Sequence, residues 1–421
     1  MRRTIDSIID IYVPYEKQRN FLFLSFSAWI IVSYGVLLGA FTLSEVGTEL
    51  SKGGIFFQAF LKSSVFVGML FGAFSSGFIS DKFGRKIAIN IFLLLSIIFT
   101  FLNGFNRSGT IFVIFRLLSG FGYGGLLPSV NTYLSEVVSM KIRGRYLVLL
   151  ESMWAVGSIL VGVVDLTLGK MSWRWDYWMM GFACSMFIPF LKIPESPRFV
   201  FMKKGKRALE NLLGTEVEEE IEEVKVVKVP VIELLKNGYI RRTVMIWFVW
   251  FTLSIVYYGI FLWLPKIFSA KGVIEHTIWL TFLMMVFQLP GYYLAAYLVE
   301  KIGRVPSLSL FLTGTGIATL CFALIDTFSI YIIMAFLTSV FCLGAWGTVY
   351  AYTPELYPTS FRTTGNGAAG TVTRVGGIIA PYIPVIFNNT LYSLVLFSIL
   401  SFLSAFLVST MGVETKNKEI K

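Results

Sequence analysis

Charge is what this chain has least of. Only 14% of its 421 residues are Asp, Glu, Lys or Arg, against 56% hydrophobic, and the mean hydropathy is +0.73. That leaves too little polar surface to coat a soluble fold of this size, so most of the chain must have lipid for its solvent. Histidine occurs once, at His276. No metal-ligand or nucleophile constellation surrounds it, so neither an enzyme nor a bound cofactor is expected. No Gly-rich phosphate loop with its lysine is present, which disfavours nucleotide-driven work. The three cysteines, Cys184, Cys321 and Cys342, lie in apolar runs without Cys-x-x-Cys spacing. This excludes a disulfide framework and a zinc site and reads as small buried side chains.

Apolar runs of about 18 to 25 residues recur, the length a helix needs to cross about 30 Å of hydrocarbon at about 1.5 Å per residue. Twelve spans are expected, near 19–41, 56–80, 87–106, 110–134, 146–168, 175–192, 243–265, 277–299, 306–325, 328–352, 367–388 and 390–412. The expected fold class is thus an all-α membrane protein with twelve transmembrane helices. Arg2 and Arg3 lead into a weakly amphipathic stretch, 5–18, with no short apolar region and small-residue cleavage site, so no removable signal peptide is expected.

Lysine and arginine crowd one set of loops: Arg2, Arg3, Lys17, Arg19, Lys82, Arg85, Lys86, Lys141, Arg143, Arg145, the bases of 192–242, Lys301, Arg304, Arg362 and the tail lysines. The opposite side has only Lys52, Lys62, Arg107, Lys170, Arg174, Lys266 and Lys271. This bias puts both termini in the cytoplasm of a multi-pass protein of the cell (plasma) membrane. The net charge of +11 then reflects topology and attraction to anionic lipid headgroups, with no nucleic-acid partner required.

The chain repeats itself at one constant offset. GFISDKFGRK at 77–86 aligns with AYLVEKIGRV at 296–305, so that Asp81, Gly84 and Arg85 match Glu300, Gly303 and Arg304. YLSEVVSMKIRG at 133–144 aligns with YTPELYPTSFRT at 352–363, and Tyr133, Glu136 and Arg143 match Tyr352, Glu355 and Arg362. Every pair is 219 residues apart, which indicates duplication. The expected organisation is a six-helix half over 1–192, a linker over 193–242 and a second six-helix half over 243–421. The linker carries a basic stretch (Lys203, Lys204, Lys206, Arg207), an acidic run (Glu216, Glu218, Glu219, Glu220, Glu222, Glu223) and an amphipathic piece before Arg241. It reads as short surface helices, with docking of a partner as the alternative.

On these motifs the chain resembles the major facilitator superfamily over nearly its whole length. Gly77-x3-Asp81-x2-Gly84-Arg85-Lys86 looks like that family's loop between helices 2 and 3, and PESPR at 194–198 looks like its sugar-porter and organic-ion branch. The resemblance implies two pseudo-symmetric halves moving a solute by alternating access, as a monomer. It also implies a cytoplasmic gate of Asp81, Arg85, Glu136, Arg143 and Glu195 in one half and Glu300, Arg304, Glu355 and Arg362 in the other. Pairs that form when that side shuts and part when it opens make a bistable element. The alternative is that these charges only hold loops and set topology.

The Gln-Gln pair usual in helix 7 of sugar porters is missing from 247–265, whereas TVTRVGGIIAP at 371–381 looks like carriers of organic anions, organic cations and nicotinate. Residues 21–43 contain no acid, so a helix 1 proton site is in doubt.

An ionisable group at bilayer depth costs about 2.5–3.5 kcal/mol on insertion scales and is a functional candidate. Arg116 precedes Gly120 and Gly124 on one helical face, which permits close helix contact. The resemblance implies a coupling role for it, and a structural one is the alternative. Glu151, followed by Trp154, is the candidate proton-coupling carboxyl or, alternatively, an ion-pair partner of Arg116 or a nearby base. Asp165, near the outer end of its span, reads as a solvated external residue, with a relay as the alternative. Arg374 has no acid anywhere in 366–388, so its counter-charge comes from another helix, with Glu151 a candidate, or from the substrate. Aromatic and polar cavity candidates are Tyr34, Trp154, Tyr257, Tyr258, Gln288, Trp346 and Tyr350.

The reading is therefore a secondary active transporter, coupled to H+, whose substrate is an organic acid or carboxylate. A hexose-type sugar is the alternative within the class. A non-transporting membrane sensor is the alternative outside it, disfavoured because the tails are short for a signalling domain.

Overall fold

The structure, a computed structural model, describes residues 2–50, 54–217, 219–221, 230–236, 238–273 and 275–416. Lys52, Glu218, Glu222, Glu223, Lys418 and Lys421 lie outside the described residues.

The chain is almost wholly helical. Among the described residues eleven helical segments are long and apolar enough to cross a membrane. The first to fourth spans are Tyr15–Phe41, Ile55–Phe83, Arg85–Asn103 and Gly109–Val137. The fifth, Met140–Val164, runs on into a π-helical turn, Asp165–Gly169. The seventh is Ile240–Phe261, and the eighth joins Thr277–Val286 to Gln288–Ile302. Ninth, tenth and twelfth are Arg304–Leu324, Phe328–Glu355 and Thr390–Met411. The eleventh, Thr359–Ile379, continues through a 3₁₀ turn, Ala380–Tyr382, into Ile383–Ile386.

The expected sixth span is helical in three pieces, Arg174–Trp178, a 3₁₀ turn Met179–Ala183, and Cys184–Lys192 with Pro189 inside it. The tighter 3₁₀ pitch and a proline that removes one backbone donor break the regular ladder without ending the helix. With this segmented helix the twelve-helix fold is complete.

The chain condenses into two compact units. One holds residues 1–36, 67–157 and 174–226, and the other 37–66, 158–173 and 227–421. The first, second and fifth spans each contribute to both.

Within each unit the duplication extends to packing. A Cβ on Gly72 would sit 2.0 Å from the Phe121 carbonyl oxygen, and one on Gly291 would sit 2.3 Å from that of Val340. Gly125 lies against the ring of Phe92, and Gly344 against that of Phe311. All four partners obey the 219-residue offset. Helices without side chains at these points bring their backbones into contact, which substitutes for the hydrophobic drive that lipid cannot supply. Gly124 plays the same part against Met69, and Gly68 against Leu117 and Gly120, the close contact expected beside Arg116.

The first unit also holds a small core outside the membrane-spanning helices. Thr4 caps the helix Ile5–Tyr12, accepting from the Ser7 N–H at 3.4 Å. Ile5, Ile8, Ile9 and Val13 pack with Leu209 and Val217. A two-residue parallel ladder pairs Arg2 with Glu220 and Arg3 with Ile221. The linker does contain short helices: Pro197–Lys204, capped by Ser196, then Lys206–Leu213 and a 3₁₀ turn Val231–Leu235.

One sequence expectation is corrected. Asp165 is not solvated; it is 7% exposed. It stands at the start of the π turn that follows the fifth span. Lys62 lies inside the second span, as the expected range 56–80 has it, and is 1% exposed. Its aliphatic stem fits an apolar helix surface while its head finds carbonyl acceptors.

Candidate functional site

Two charged clusters occupy equivalent places, one in each unit. In the first, Arg85 donates from Nε to Glu136 Oε2 at 3.0 Å and from Nη2 to Oε1 at 3.1 Å, with Asp81 Oδ1 3.3 Å from Nη1. Glu195 Oε1 accepts the Arg85 and Lys86 backbone N–H groups at 2.9 and 3.2 Å, and Ser196 Oγ donates to Glu136 Oε2 at 2.6 Å. In the second, Arg304 donates to Glu355 from Nε at 2.8 Å and Nη2 at 3.0 Å, with Glu300 at 3.4 Å. Glu414 accepts the Arg304 and Val305 N–H groups, both at 3.0 Å, and Thr415 Oγ1 donates to Glu355. Planar guanidinium and carboxylate groups meeting by two parallel bonds are the strong form of such pairs.

Each carboxylate cap sits against a glycine that starts a helix. Gly84 has φ +104° and Gly303 φ +102°, and an added Cβ would stand 2.1 Å from Glu195 Oε2 or 2.6 Å from Glu414 Oε2. Only glycine combines that backbone with that approach. The caps receive the unpaired N–H groups of the first helical turn. Burial alone would raise the Glu414 carboxyl, but the N–H groups of Arg304, Lys416, Val305 and Thr415 outweigh it and hold the carboxyl below its usual range.

Seven of the nine expected gate residues therefore fall in two clusters, one in each unit. Arg143 and Arg362 stand apart. Arg143 donates to Asp6 Oδ1 at 2.8 Å, while Arg198 donates to Asp6 Oδ2 at the same distance. Arg362 donates to the Tyr357 carbonyl at 3.2 Å. Glu414 and Thr415 escaped the sequence reading although the offset from Glu195 and Ser196 points to them. Asp6 carried no such signal.

Inside the membrane, the first unit buries Arg116, 1% exposed, with Nη1 donating to the Gly35 carbonyl at 3.2 Å and no hydrogen-bond partner for Nε or Nη2 among the described residues. Glu151, 8% exposed, accepts from Trp29 Nε1 at 3.3 Å. Trp154 accepts Ser33 Oγ at its carbonyl, at 2.5 Å, and the Tyr34 hydroxyl donates to the Asp176 carbonyl at 2.7 Å.

The second unit gathers the remaining candidates. Arg374 interacts with the Tyr258 hydroxyl, and its buried Nε has no hydrogen-bond partner among the described residues. Gln288 is placed by the break between the two pieces of the eighth span. Its Oε1 accepts from Ser158 Oγ at 3.3 Å and, at 3.5 Å, from the Tyr257 hydroxyl. Trp346 lies edge-on to Tyr257, with centroids 6.2 Å apart, and 5.9 Å from Tyr350. Trp250, which the sequence reading passed over, joins Trp346 at 5.4 Å and Tyr350 at 4.7 Å. An aromatic wall with one guanidinium and one amide suits a small planar solute.

This is the fold of the major facilitator transporters. The D-xylose-proton symporter crystal structure superposes with a TM-score of 0.76 at 18% identity, over 97% of this chain and 100% of that one. An inward-open xylose transporter XylE from E. coli gives 0.75 at 18% identity, over 95% and 98%. The Sugar (and other) transporter family matches residues 40–421, and the chain belongs to it. Relatives include the niacin transporter NiaP of Acinetobacter baylyi, 33% identical over 374 residues, 85% of each chain. A Bacillus subtilis (strain 168) protein named as a candidate niacin/nicotinamide transporter, also NiaP, is 36% identical over 363 residues, 84% of this chain and 86% of that one. The chain is thus a multi-pass membrane transporter of a small organic solute and not an enzyme.

Proposed function

We propose that the solute is a small aromatic carboxylate of the nicotinate type and that its movement is coupled to H+. The observation that carries this reading is Arg374, a buried guanidinium with an unsatisfied donor beside Tyr258 and in the same unit as the Tyr257, Trp346 and Tyr350 rings. A carboxylate would supply its counter-charge, and the rings would hold a flat heterocycle. The names of the two NiaP relatives point the same way. Glu151, buried beside Trp29 in the first unit, and the incompletely paired Arg116 are the coupling candidates. The protein works as a monomer in the cell membrane with both termini in the cytoplasm, where the arginine–carboxylate clusters belong to the gate. The halves 1–192 and 243–421 are the bodies that alternate access, joined by 193–242.

The test is uptake into proteoliposomes of labelled nicotinate, nicotinamide and xylose, with and without an inward proton gradient. Nicotinate should accumulate only with the gradient, and Arg374→Ala should raise its KM at least about tenfold in protein that stays folded; tenfold corresponds to about 1.4 kcal/mol. Glu151→Gln should leave exchange intact and abolish gradient-driven accumulation. A second reading, a sugar, rests on Gln288 with the Ser158 and Tyr257 hydroxyls, an array suited to hydroxyl groups. Xylose accumulation indifferent to Arg374→Ala would select it.

A further inference from the structure

Lys62 is a buried ammonium that neither the arginine–carboxylate clusters nor the Arg374 site uses. It lies about two turns into the second span. All its contacts described below fall inside the second compact unit. Nζ donates to the Gly39 carbonyl of the first span at 3.1 Å and to the Leu262 carbonyl at 2.7 Å, and stands 4.6 Å from the centre of the Trp263 ring. Leu262 caps the C-terminal end of the seventh span. The last carbonyls of a helix lack acceptor bonds of their own and carry the negative end of its dipole, so a cation there is doubly favoured. Trp263 is held in turn by its Nε1 donating to the Pro381 carbonyl at 3.2 Å.

Lys62 is one point of a seam. Ser63 Oγ donates to the Tyr382 hydroxyl at 3.2 Å. The Phe66 ring lies 4.3 Å, centre to centre, from Tyr258, and its Cδ1 comes within 2.7 Å of where a Cβ on Gly377 would be. Residues 62, 63 and 66 share one face of the helix, and that face meets the seventh and eleventh spans. Asp81, at the other end of the same span, is 19 positions away, about 28 Å along the axis. The seam and the Arg85 cluster therefore belong to opposite membrane faces.

We propose that Lys62 is the latch of the face opposite the arginine–carboxylate clusters. It is a positioning residue that ties the second span to the C-terminal end of the seventh, and its bond to Leu262 must break before a solute can pass on that side. The proposal rests on the transport reading above but not on the identity of the solute. Its duplicate position is Thr281, which cannot offer a cation, so the latch exists in one copy.

The experiment uses the full chain with its three cysteines replaced by serine and Ser63→Cys as a reporter on the seam. A membrane-impermeant maleimide is applied from the outside to right-side-out vesicles. Lys62→Met should speed labelling at least about fivefold over the parent, and Lys62→Arg, which keeps the charge and donors, should stay within about twofold of it. In proteoliposomes Lys62→Met should slow net uptake while sparing exchange. Labelling by Lys62→Met as slow as the parent's, in protein that remains monodisperse, overturns the latch, whatever happens to uptake. A loss of thermal stability with unchanged labelling identifies a structural tie and overturns it equally. Should Lys62→Met not fold, Lys62→Gln, neutral but able to donate, is read by the same criteria. If the parent carries no nicotinate, the substrate reading fails while the labelling result still decides the latch.

Discussion

The sharpest energetic consequence concerns the two arginine–carboxylate pairs, which are chemically alike but unequally buried. The Glu136 side chain is 7% exposed and that of Glu355 33%, while Arg85 and Arg304 are 13% and 14% exposed. At about 3 Å and an effective dielectric near 20, each pair has a bare attraction of about 5–6 kcal/mol. Glu→Gln retains shape and one acceptor but removes the charge. Arg85 keeps Asp81 at 3.3 Å and Arg304 keeps Glu300 at 3.4 Å, so part of the attraction survives in both cases. The net loss expected is about 3 kcal/mol for Glu136→Gln, whose arginine is left in a dry site, and about 1–2 kcal/mol for Glu355→Gln, where water reaches the gap. For a half of roughly this size, 1 kcal/mol moves Tm by about 2–4 °C, so the two variants should fall by about 6–12 °C and about 2–8 °C. Thermal unfolding of the detergent-solubilised protein reads this directly. A Glu355→Gln loss equal to or larger than that of Glu136→Gln refutes the reasoning, because burial would then not be what sets the strength of these pairs.

Glu414→Gln should lower stability by about 1 kcal/mol at neutral pH through loss of a charged helix cap. Because the folded carboxyl titrates below its usual value, its contribution is complete above the unfolded value and fades as pH falls through the folded one. The gap in Tm between parent and Glu414→Gln should therefore close below about pH 4. Gly72→Ala and Gly291→Ala, which would drive a methyl into the Phe121 and Val340 carbonyls, should each cost about 1–3 kcal/mol or abolish expression. Gly77→Ala, with nothing within 4 Å, should be tolerated, as a Tm series would register. Asp6→Asn removes the shared carboxylate of Arg143 and Arg198 and should make 1–13 more susceptible to limited proteolysis, at a cost of about 1 kcal/mol.

What the sequence makes legible is whatever repeats or has a period. The apolar runs locate the helices, and the 219-residue offset pairs Arg85 with Arg304 and Glu136 with Glu355 before any coordinate is known. It misleads where local backbone form overrides composition. Asp165 reads as a solvated outer-end residue but is buried where the π turn begins, and the sixth span reads as one helix until its 3₁₀ turn divides it. The expected span 56–80 takes in Lys62, but nothing in a string of residues shows that two carbonyls wait for its ammonium. Asp6 is separated from Arg143 by 137 residues and belongs to no repeat, so only folding reveals that pairing.

The duplication also separates two kinds of charge. Arg85, Glu136 and Glu195 recur as Arg304, Glu355 and Glu414, together with the positive-φ glycines Gly84 and Gly303 and both backbone caps. The intramembrane charges do not recur. Arg116 answers to Ala335, Glu151 to Gly370, Arg374 to Ala155 and Lys62 to Thr281. A feature preserved in both copies is one that each six-helix half needs for itself, such as fastening a short loop between helix ends. A charge kept in lipid at several kcal/mol and in one copy only has no such local duty to justify it. Two identical halves would present a two-fold symmetric path to a solute that has no such symmetry. Under the function proposed above, recognising a carboxylate at one end of a planar ring and linking it to a proton at another calls for side chains that one half has and the other lacks. Arg374 in the second unit and Glu151 with Arg116 in the first are such single-copy charges, which is why these three positions, rather than the more conspicuous duplicated motifs, are the ones to vary in search of substrate and coupling.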